Sequence, residues 1–336
     1  MSFKERVFEK ARQNVRTIVL PEGDERRTIL AAQQLAAEGI ARPVLIGDPS
    51  SIADAAGKAG ASLTGVGIVD PADSPKREEY AGVLYELRKA KGMSEEEAGR
   101  LIADPMYFGV MMVRQGDGDG LVSGAVHTTG DMLRPALKII KTRPGIKVVS
   151  SSLLMDFQDK EIGHDGLMVF SDCVVIPCPS DEELAHIAIS AADTARTLCG
   201  IEDPKVALLS FSTKGSAEHE LVSKVRSAVR IARSLDPALA LDGELQLDAA
   251  IVPEVAALKA GGSPVAGKAN VLIFPDLQSG NIGYKIAQRM GHAQAYAVLQ
   301  GLARPCNDLS RGCSVGDIVM TAALTALQAA GSIKQP

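Results

Sequence analysis

The chain has no tryptophan, and aromatic residues make up only 4% of its 336 positions. Its core must therefore be aliphatic, and it has too few rings to build a stacking platform for single-stranded nucleic acid. Cysteine is sparse and patternless. Cys173, Cys178, Cys199, Cys306 and Cys313 are odd in number and contain no C-x-x-C, which fits reduced thiols in a cytoplasm. No apolar run reaches the length of a membrane span, and the opening Met1-Ser2-Phe3-Lys4-Glu5-Arg6 lacks the apolar region of a signal peptide. An excess of positive charge is missing too. A formal net charge of −5 removes the electrostatic case for nucleic acid or an acidic membrane as main partner. It leaves room for an anionic small molecule, because a local arginine cluster sets its own field. Internal repeats, low-complexity tracts and a Gly-x-Gly-x-x-Gly fingerprint are absent as well.

What is present is a rhythm of short apolar strands and longer helices. Strands read at 17–20, 43–46, 67–69 and 120–123, with helices at 2–13, 28–37, 80–91, 94–102 and 106–114. That alternation predicts an α/β protein with parallel sheets wrapped on both faces. Around 145–180 the character changes to two β-rich runs, 147–154 and 167–176, separated by a polar loop, which marks the opening of a second domain. The apolar segment 318–330 must be a buried helix, and it is expected to pack back on the first domain. The expected division is 1–145 plus 297–336 for the first α/β domain and 146–296 for the second.

The densest chemistry lies at 307–317, Asn-Asp-Leu-Ser-Arg-Gly-Cys-Ser-Val-Gly-Asp, which runs straight into that helix. The first N–H groups of a helix lack partners, so an anion is welcome there. Ser310 can donate a hydrogen bond, Arg311 can hold a phosphate in a two-pronged grip, and Asp317 can accept a proton. A plainer role for Asp317 stands beside this one: Ser314 to Asp317 has the spacing of a capping box. One carboxylate can do both if a substrate reaches it. Two nearby motif matches fail. Gly312-Cys313-Ser314-Val315-Gly316 fits the nucleophile elbow, but Arg304-Pro305-Cys306-Asn307-Asp308 does not read as a strand, and no His follows His292. Residues 262–269 approach a P-loop but end in Ala269 and precede a strand.

Ligands of such sheets sit at the carboxyl ends of the strands. After 120–123 comes Gly124-Ala125-Val126-His127-Thr128-Thr129-Gly130-Asp131, then a helix carrying Arg134. After 206–209 comes Ser210-Phe211-Ser212-Thr213-Lys214-Gly215-Ser216, whose hydroxyls, cation and flexible backbone favour anion binding over a simple turn. After a strand at 239–241 come Asp242 and Glu244, better suited to hydrogen bonding than to a metal because no His or Cys set accompanies them. After 271–274 comes a helix with Lys285 and Arg289. Cys306 and Cys313 lack a nearby His and read as structural thiols.

Several of these stretches together resemble the phosphate acetyltransferases, with the phosphate butyryltransferases as close relatives. They are 123–136, 210–217 (Ser-Phe-Ser-Thr-Lys-Gly-Ser-Ala), 242–250 (Asp-Gly-Glu-Leu-Gln-Leu-Asp-Ala-Ala), 274–277, 280–289 and 308–314, spread in order over essentially the whole chain. Met132 and Gln278 depart from the family's frequent Thr and Asn. The resemblance implies two doubly wound α/β domains with an inter-domain cleft, similar to isocitrate dehydrogenases, usually in a cytoplasmic homodimer. It implies reversible acetyl transfer between CoA and inorganic phosphate, with acetyl-CoA and acetyl phosphate as substrates and no metal or other cofactor. By resemblance Asp317 would take the proton of the CoA thiol, Ser310 would hydrogen-bond the thiol or the developing oxyanion, and Arg311 would hold acetyl phosphate. Arg134 and Arg88 would bind anionic groups, with Arg27 and Arg289 as further candidates. Ser123, Thr128, Thr129, Ser212 and Lys214 would complete the substrate-binding set.

A free thiol and a free Asp differ by about 4.6 pKa units, so unassisted proton transfer costs ~6 kcal/mol. Either the carboxylate must be desolvated or the thiolate must be held by Ser310 and Arg311. Two charge-assisted hydrogen bonds at ~1.5–3 kcal/mol each offset much of the gap. Three other readings remain: butyryl or propionyl transfer, a non-catalytic acetyl-CoA-sensing module, and a nicotinamide-dependent dehydrogenase of the same broad fold.

Overall fold

Apolar strand residues and capped helices alternate from the first turn of the chain onward, and the computed structural model describes residues 1–332. The order begins α1 (Phe3–Gln13), β1 (Thr17–Leu20), α2 (Arg26–Ala37), β2 (Arg42–Ile46), α3 (Pro49–Ala59), β3 (Gly67–Val69) and α4 (Arg77–Arg88). It continues with α5 (Glu95–Ile102), α6 (Pro105–Gln115), β4 (Gly120–Ser123), α7 (Thr129–Ile139), β5 (Ser150–Asp156), β6 (Leu167–Ser171) and α8 (Asp181–Thr194). Then come β7 (Val206–Leu209), α9 (Glu220–Leu235), β8 (Leu241–Leu245), α10 (Leu247–Ile251), α11 (Pro253–Lys259), β9 (Val271–Ile273) and α12 (Leu277–Arg289). The last described elements are β10 (Gln294–Gln300), β11 (Cys306–Asp308) and α13 (Val315–Ser332).

Two units result. The first runs from Met1 to Arg143 and resumes at Leu302, and the second runs from Pro144 to Gly301. The whole of β10 thus lies in the second unit, whereas a boundary at 297 would have cut it in two.

The first unit holds a five-stranded sheet in the order β11-β4-β1-β2-β3, parallel throughout. A parallel sheet needs cover on both faces. Successive strand residues point to opposite faces, and Gly120 and Leu121 show which helix lies on each. A Cβ at Gly120 would meet Thr325 of α13, while the Leu121 side chain lies against Gly109 of α6. The C-terminal helix therefore packs on the first unit, against α1, α2 and β4. A buried amide fixes its position. Asn307 of β11 donates to Thr325 Oγ1 and to Gln328 Oε1, both at 2.7 Å.

The second unit holds a six-stranded sheet in the order β10-β5-β6-β9-β7-β8. Its β10-β5 and β5-β6 pairs are antiparallel and the rest parallel. Two expectations are corrected here. β8 does not end at Leu241 but begins there, so Asp242 and Glu244 are strand residues and not loop residues. Residues 306–308 do form a strand, β11, paired in parallel with β4 through Cys306↔Leu121, Asn307↔Val122 and Asp308↔Ser123. Among the described residues no helix is long and apolar enough to cross a membrane.

Candidate functional site

Three strand ends meet on one edge of the first unit, those of β1, β4 and β11. Each hands the chain to a helix, and the loops hold one another. Glu22, two residues past β1, is buried and receives N–H donors from the whole loop after β4. Gly124, Ala125, Val126 and His127 donate their backbone N–H groups at 2.9–3.2 Å, and His127 Nδ1 lies 2.9 Å away. Burial works to raise the Glu22 pKa, but the N–H groups of His127 and Val126 outweigh it, and its carboxyl titrates below the usual range.

Arg27, at the start of α2, ties the loop after β11 to the loop after β4. Its guanidinium donates to the carbonyls of Arg311 at 2.8 Å, Cys313 at 2.9 Å and Ala125 at 2.8 Å, and its Nε to Glu25 at 2.8 Å. The fork expected to touch substrate is spent on the protein's own backbone. Cys313 is buried between these segments and its thiol is pushed up, chiefly by burial, as is that of buried Cys306. Neither is poised as a nucleophile.

In the loop between β11 and α13, Cys313 N donates to Ser310 O at 2.8 Å, which folds residues 310–313 into a turn. Ser310 and Arg311 are exposed on it. Asp317 sits in the first turn of α13 as half of a capping box. Ser314 N and Oγ donate to its Oδ2 at 2.8 and 2.9 Å, and Asp317 N donates back to Ser314 Oγ at 3.2 Å. Asp317 is exposed, so the cap does not hide its carboxylate. The nucleophile-elbow reading still fails although a strand precedes the loop. Ser314 lies well past the end of β11 and serves as the cap, and the last His remains His292.

On the β4 side, Thr128 is the N-cap of α7, paired with Asp131. Thr129 Oγ1 donates to Asp308 Oδ2 at the end of β11. Asp308 is pushed up to about 6, first by burial and then by the nearby Glu22 carboxylate, with Thr129 and the Leu309 N–H pulling the other way. Ser123 is buried at the end of β4. Arg134 is exposed on α7, and α4, which ends in Arg88, packs against α7. The guanidinium groups of Arg311, Arg134 and Arg88 form no hydrogen bond with the described residues, and the charge of Arg134 helps to hold Asp131 below the usual carboxylate range. Glu22 and Asp308 are not among the expected site residues. The sequence shows only that each is a carboxylate near the end of a strand; the groups gathered around them lie more than 100 residues away.

Ser212, Lys214 and Arg289 belong to the second unit. Lys214 Nζ lies 2.6 Å from buried Asp242, which also receives Arg233. Ser212 Oγ donates to buried Glu244, which is paired with Arg226 and bonded to Gly215 N. This loop is thus anchored internally by two carboxylates. Burial opposes both charges, but the contacts together outweigh it, Lys214, Ser263 and the Gly243 N–H at Asp242 and Arg226, the Gly215 N–H and Ser212 at Glu244, and hold both carboxyls below the usual range. Among the described residues no group of three His, Cys, Asp or Glu side chains is placed to hold a metal ion.

Around the ends of β4 and β11 the first unit thus exposes a hydroxyl, Ser310, two guanidinium groups, Arg311 and Arg134, and a carboxylate, Asp317. Comparison with known proteins shows the class of protein: residues 2–326 match the Phosphate acetyl/butaryl transferase family, and the chain belongs to it. It is 56% identical to the phosphate acetyltransferase of Thermoanaerobacterium thermosaccharolyticum over 98% of this chain and 100% of that one. It is 53% identical to the phosphate acetyltransferase of Clostridium acetobutylicum over 98% of this chain and 99% of that one. The crystal structure of a phosphotransacetylase from Streptococcus pyogenes superimposes with a TM-score of 0.91 at 45% identity, covering 97% of this chain and 99% of that one.

Proposed function

We propose that the chain is a phosphate acetyltransferase, moving acetyl reversibly between CoA and inorganic phosphate without a cofactor. One observation carries the reading: Ser310, Arg311 and Asp317 all lie exposed between the end of β11 and the first turn of α13, on a loop pinned through Arg27. In the direction of acetyl-CoA synthesis, the CoA thiol gives its proton to Asp317. The thiolate attacks the acetyl carbonyl of acetyl phosphate, a C–S bond forms, the C–O bond to phosphorus breaks, and phosphate leaves. Ser310 donates to the thiolate or to the carbonyl oxygen as charge develops on it. Arg311, with Arg134 and Arg88, holds the phosphate.

Asp317 is exposed, so it is not desolvated in this state. The burden of the ~6 kcal/mol proton-transfer gap falls on Ser310 and Arg311 holding the thiolate. Alignment of two bound substrates supplies ~7–11 kcal/mol, enough for direct attack with no covalent enzyme intermediate.

The homodimer belongs to the same proposal. Ile282 and Ile286 of α12 and Met290, its C-cap, are 58%, 52% and 76% exposed at i, i+4 and i+8, an apolar stripe suited to a second copy. A cytoplasmic location fits the reduced cysteines.

Arsenolysis tests the activity. Purified protein, arsenate and acetyl-CoA should release free thiol rapidly, with propionyl- and butyryl-CoA run in parallel to rank the acyl chains. A folded protein that binds acetyl-CoA but releases no thiol from any of the three would be a sensing module instead.

A further inference from the structure

The bond between Thr129 and Asp308 joins the two halves of the proposed site. Asp308 ends β11, two residues before Ser310, and Thr129 is the first residue of α7, the helix that carries Arg134. The two segments run together at neighbouring points as well. Leu309 N donates to Ser123 O at 2.8 Å. A Cβ on Gly124 would come within 2.3 Å of Leu309 O and 2.7 Å of Asp308 Oδ1, and Gly124 has a φ of +114°, so only glycine fits there. α7 packs against β11 and carries Arg134 just before its internal proline, Pro135. A shift of α7 along its axis would break the Thr129 bond first and carry Arg134 with it.

We infer that Asp308 and Thr129 form a clasp that sets Arg134 against the Ser310–Arg311 turn, making both positioning residues for acyl transfer. This rests on the proposed function. It also gives Thr129 a different task from the substrate contact expected of it, because its hydroxyl hydrogen is already donated to a half-buried carboxyl. The clasp governs how the phosphate end is held relative to the attacking atom. On this inference it leaves the affinity for CoA alone.

The test uses the full chain and the variants Thr129→Val, Thr129→Ser, Asp308→Ala and Asp308→Asn. For each, kcat and KM for acetyl phosphate, CoA affinity by calorimetry and Tm are measured. Thr129→Val and Asp308→Ala should lower kcat/KM for acetyl phosphate ~10- to ~100-fold, the effect of misplacing a reacting group by about an ångström. Their CoA Kd should stay within about twofold of the parent. Thr129→Ser, which keeps the donor, and Asp308→Asn, which keeps the acceptor, should restore kcat/KM to within about threefold. A Thr129→Val protein equal to an active parent overturns the clasp and leaves the function standing. So does a loss that serine fails to restore, or one shared by CoA affinity and Tm. A parent protein without arsenolysis overturns the functional reading, and the clasp falls with it.

Discussion

The Asp317 carboxylate is held by Ser314 through two bonds to a single oxygen, Oδ2, from the backbone N–H at 2.8 Å and from the hydroxyl at 2.9 Å. The other oxygen takes no part in the cap. On the proposed function, the second oxygen is the one left to take the thiol proton. Asp317→Asn should lower turnover ~10²- to 10⁴-fold with CoA affinity nearly intact, as expected for loss of a general base. Ser314→Ala should cost about 1 kcal/mol of stability through the lost cap. Arsenolysis rates and thermal melts on both variants separate the roles, and unchanged turnover in the Asp317→Asn variant would leave Asp317 as a cap alone.

Glu22→Gln should destabilise the protein by roughly 2–4 kcal/mol, because an amide replaces a charge that four backbone N–H groups converge on. The Glu22 carboxyl titrates below its usual range in the folded state. Its stabilisation is therefore fully present above the ordinary Glu pKa of ~4.3 and is lost as pH falls through the lower folded value. Urea unfolding across the acid range should show a falling limb in the parent that is flatter in the Glu22→Gln variant.

Asp308 has the opposite sign. Its folded carboxyl titrates at about 6, above the ~3.9 of an unfolded Asp. Below the unfolded value both states are protonated and no penalty exists. As pH rises toward 6 the unfolded chain ionises first, and a cost on the order of 2–3 kcal/mol accumulates and then persists. Asp308→Asn removes that cost, so its unfolding midpoint should exceed the parent's at neutral pH and match it near pH ~4.

Arg27→Lys keeps the charge but loses the fork that reaches three carbonyls at once. It should cost ~1–3 kcal/mol in stability and lower kcat, because the turn bearing Ser310 and Arg311 is no longer pinned. Melting and steady-state kinetics on one preparation check both. An unchanged kcat would show that the turn holds its shape without Arg27.

Ile286→Glu places a charge in the middle of the exposed stripe on α12. Light scattering should find the parent at twice the chain mass and the variant at the chain mass. A variant that stays dimeric would move the interface elsewhere.

The sequence reveals its strands where burial is by apolar residues and hides them where burial is by polar ones. β1, β3, β4 and β7 appear at the expected residues because Thr-Ile-Val-Leu and Val-Ala-Leu-Leu have few other uses. β5 falls mostly within the β-rich run read at 147–154, but what lets its first residues be buried is hidden: of Ser150, Ser151 and Ser152, all buried, Gln300 of β10 satisfies two by accepting from Ser152 Oγ at 2.7 Å and donating to Ser150 Oγ at 2.9 Å. A partner 148 residues away leaves no local trace. β8 is hard to place for a similar reason. Asp242, Gly243 and Glu244 are poor strand formers, kept in the sheet by Lys214, Arg226 and Arg233. α8 escapes the strand-and-helix rhythm although Ser180 and Glu183 form a capping box at its start. In the site, Ser310, Arg311 and Asp317 are legible because they crowd one short stretch. The hub at Glu22 is not, since four of its donors are backbone N–H groups more than 100 residues away.

The first unit takes its edge strand β11 and its covering helix α13 from the far end of the chain. On the ribosome, domains fold as their residues emerge. This sheet must wait with β4 uncovered on one side while the entire second unit is made. Its nascent form exposes a strand edge, and neither Ser310 nor Asp317 yet exists. The first unit is therefore completed only after the second has been made, and a chain stalled before β11 would be a folding client for chaperones.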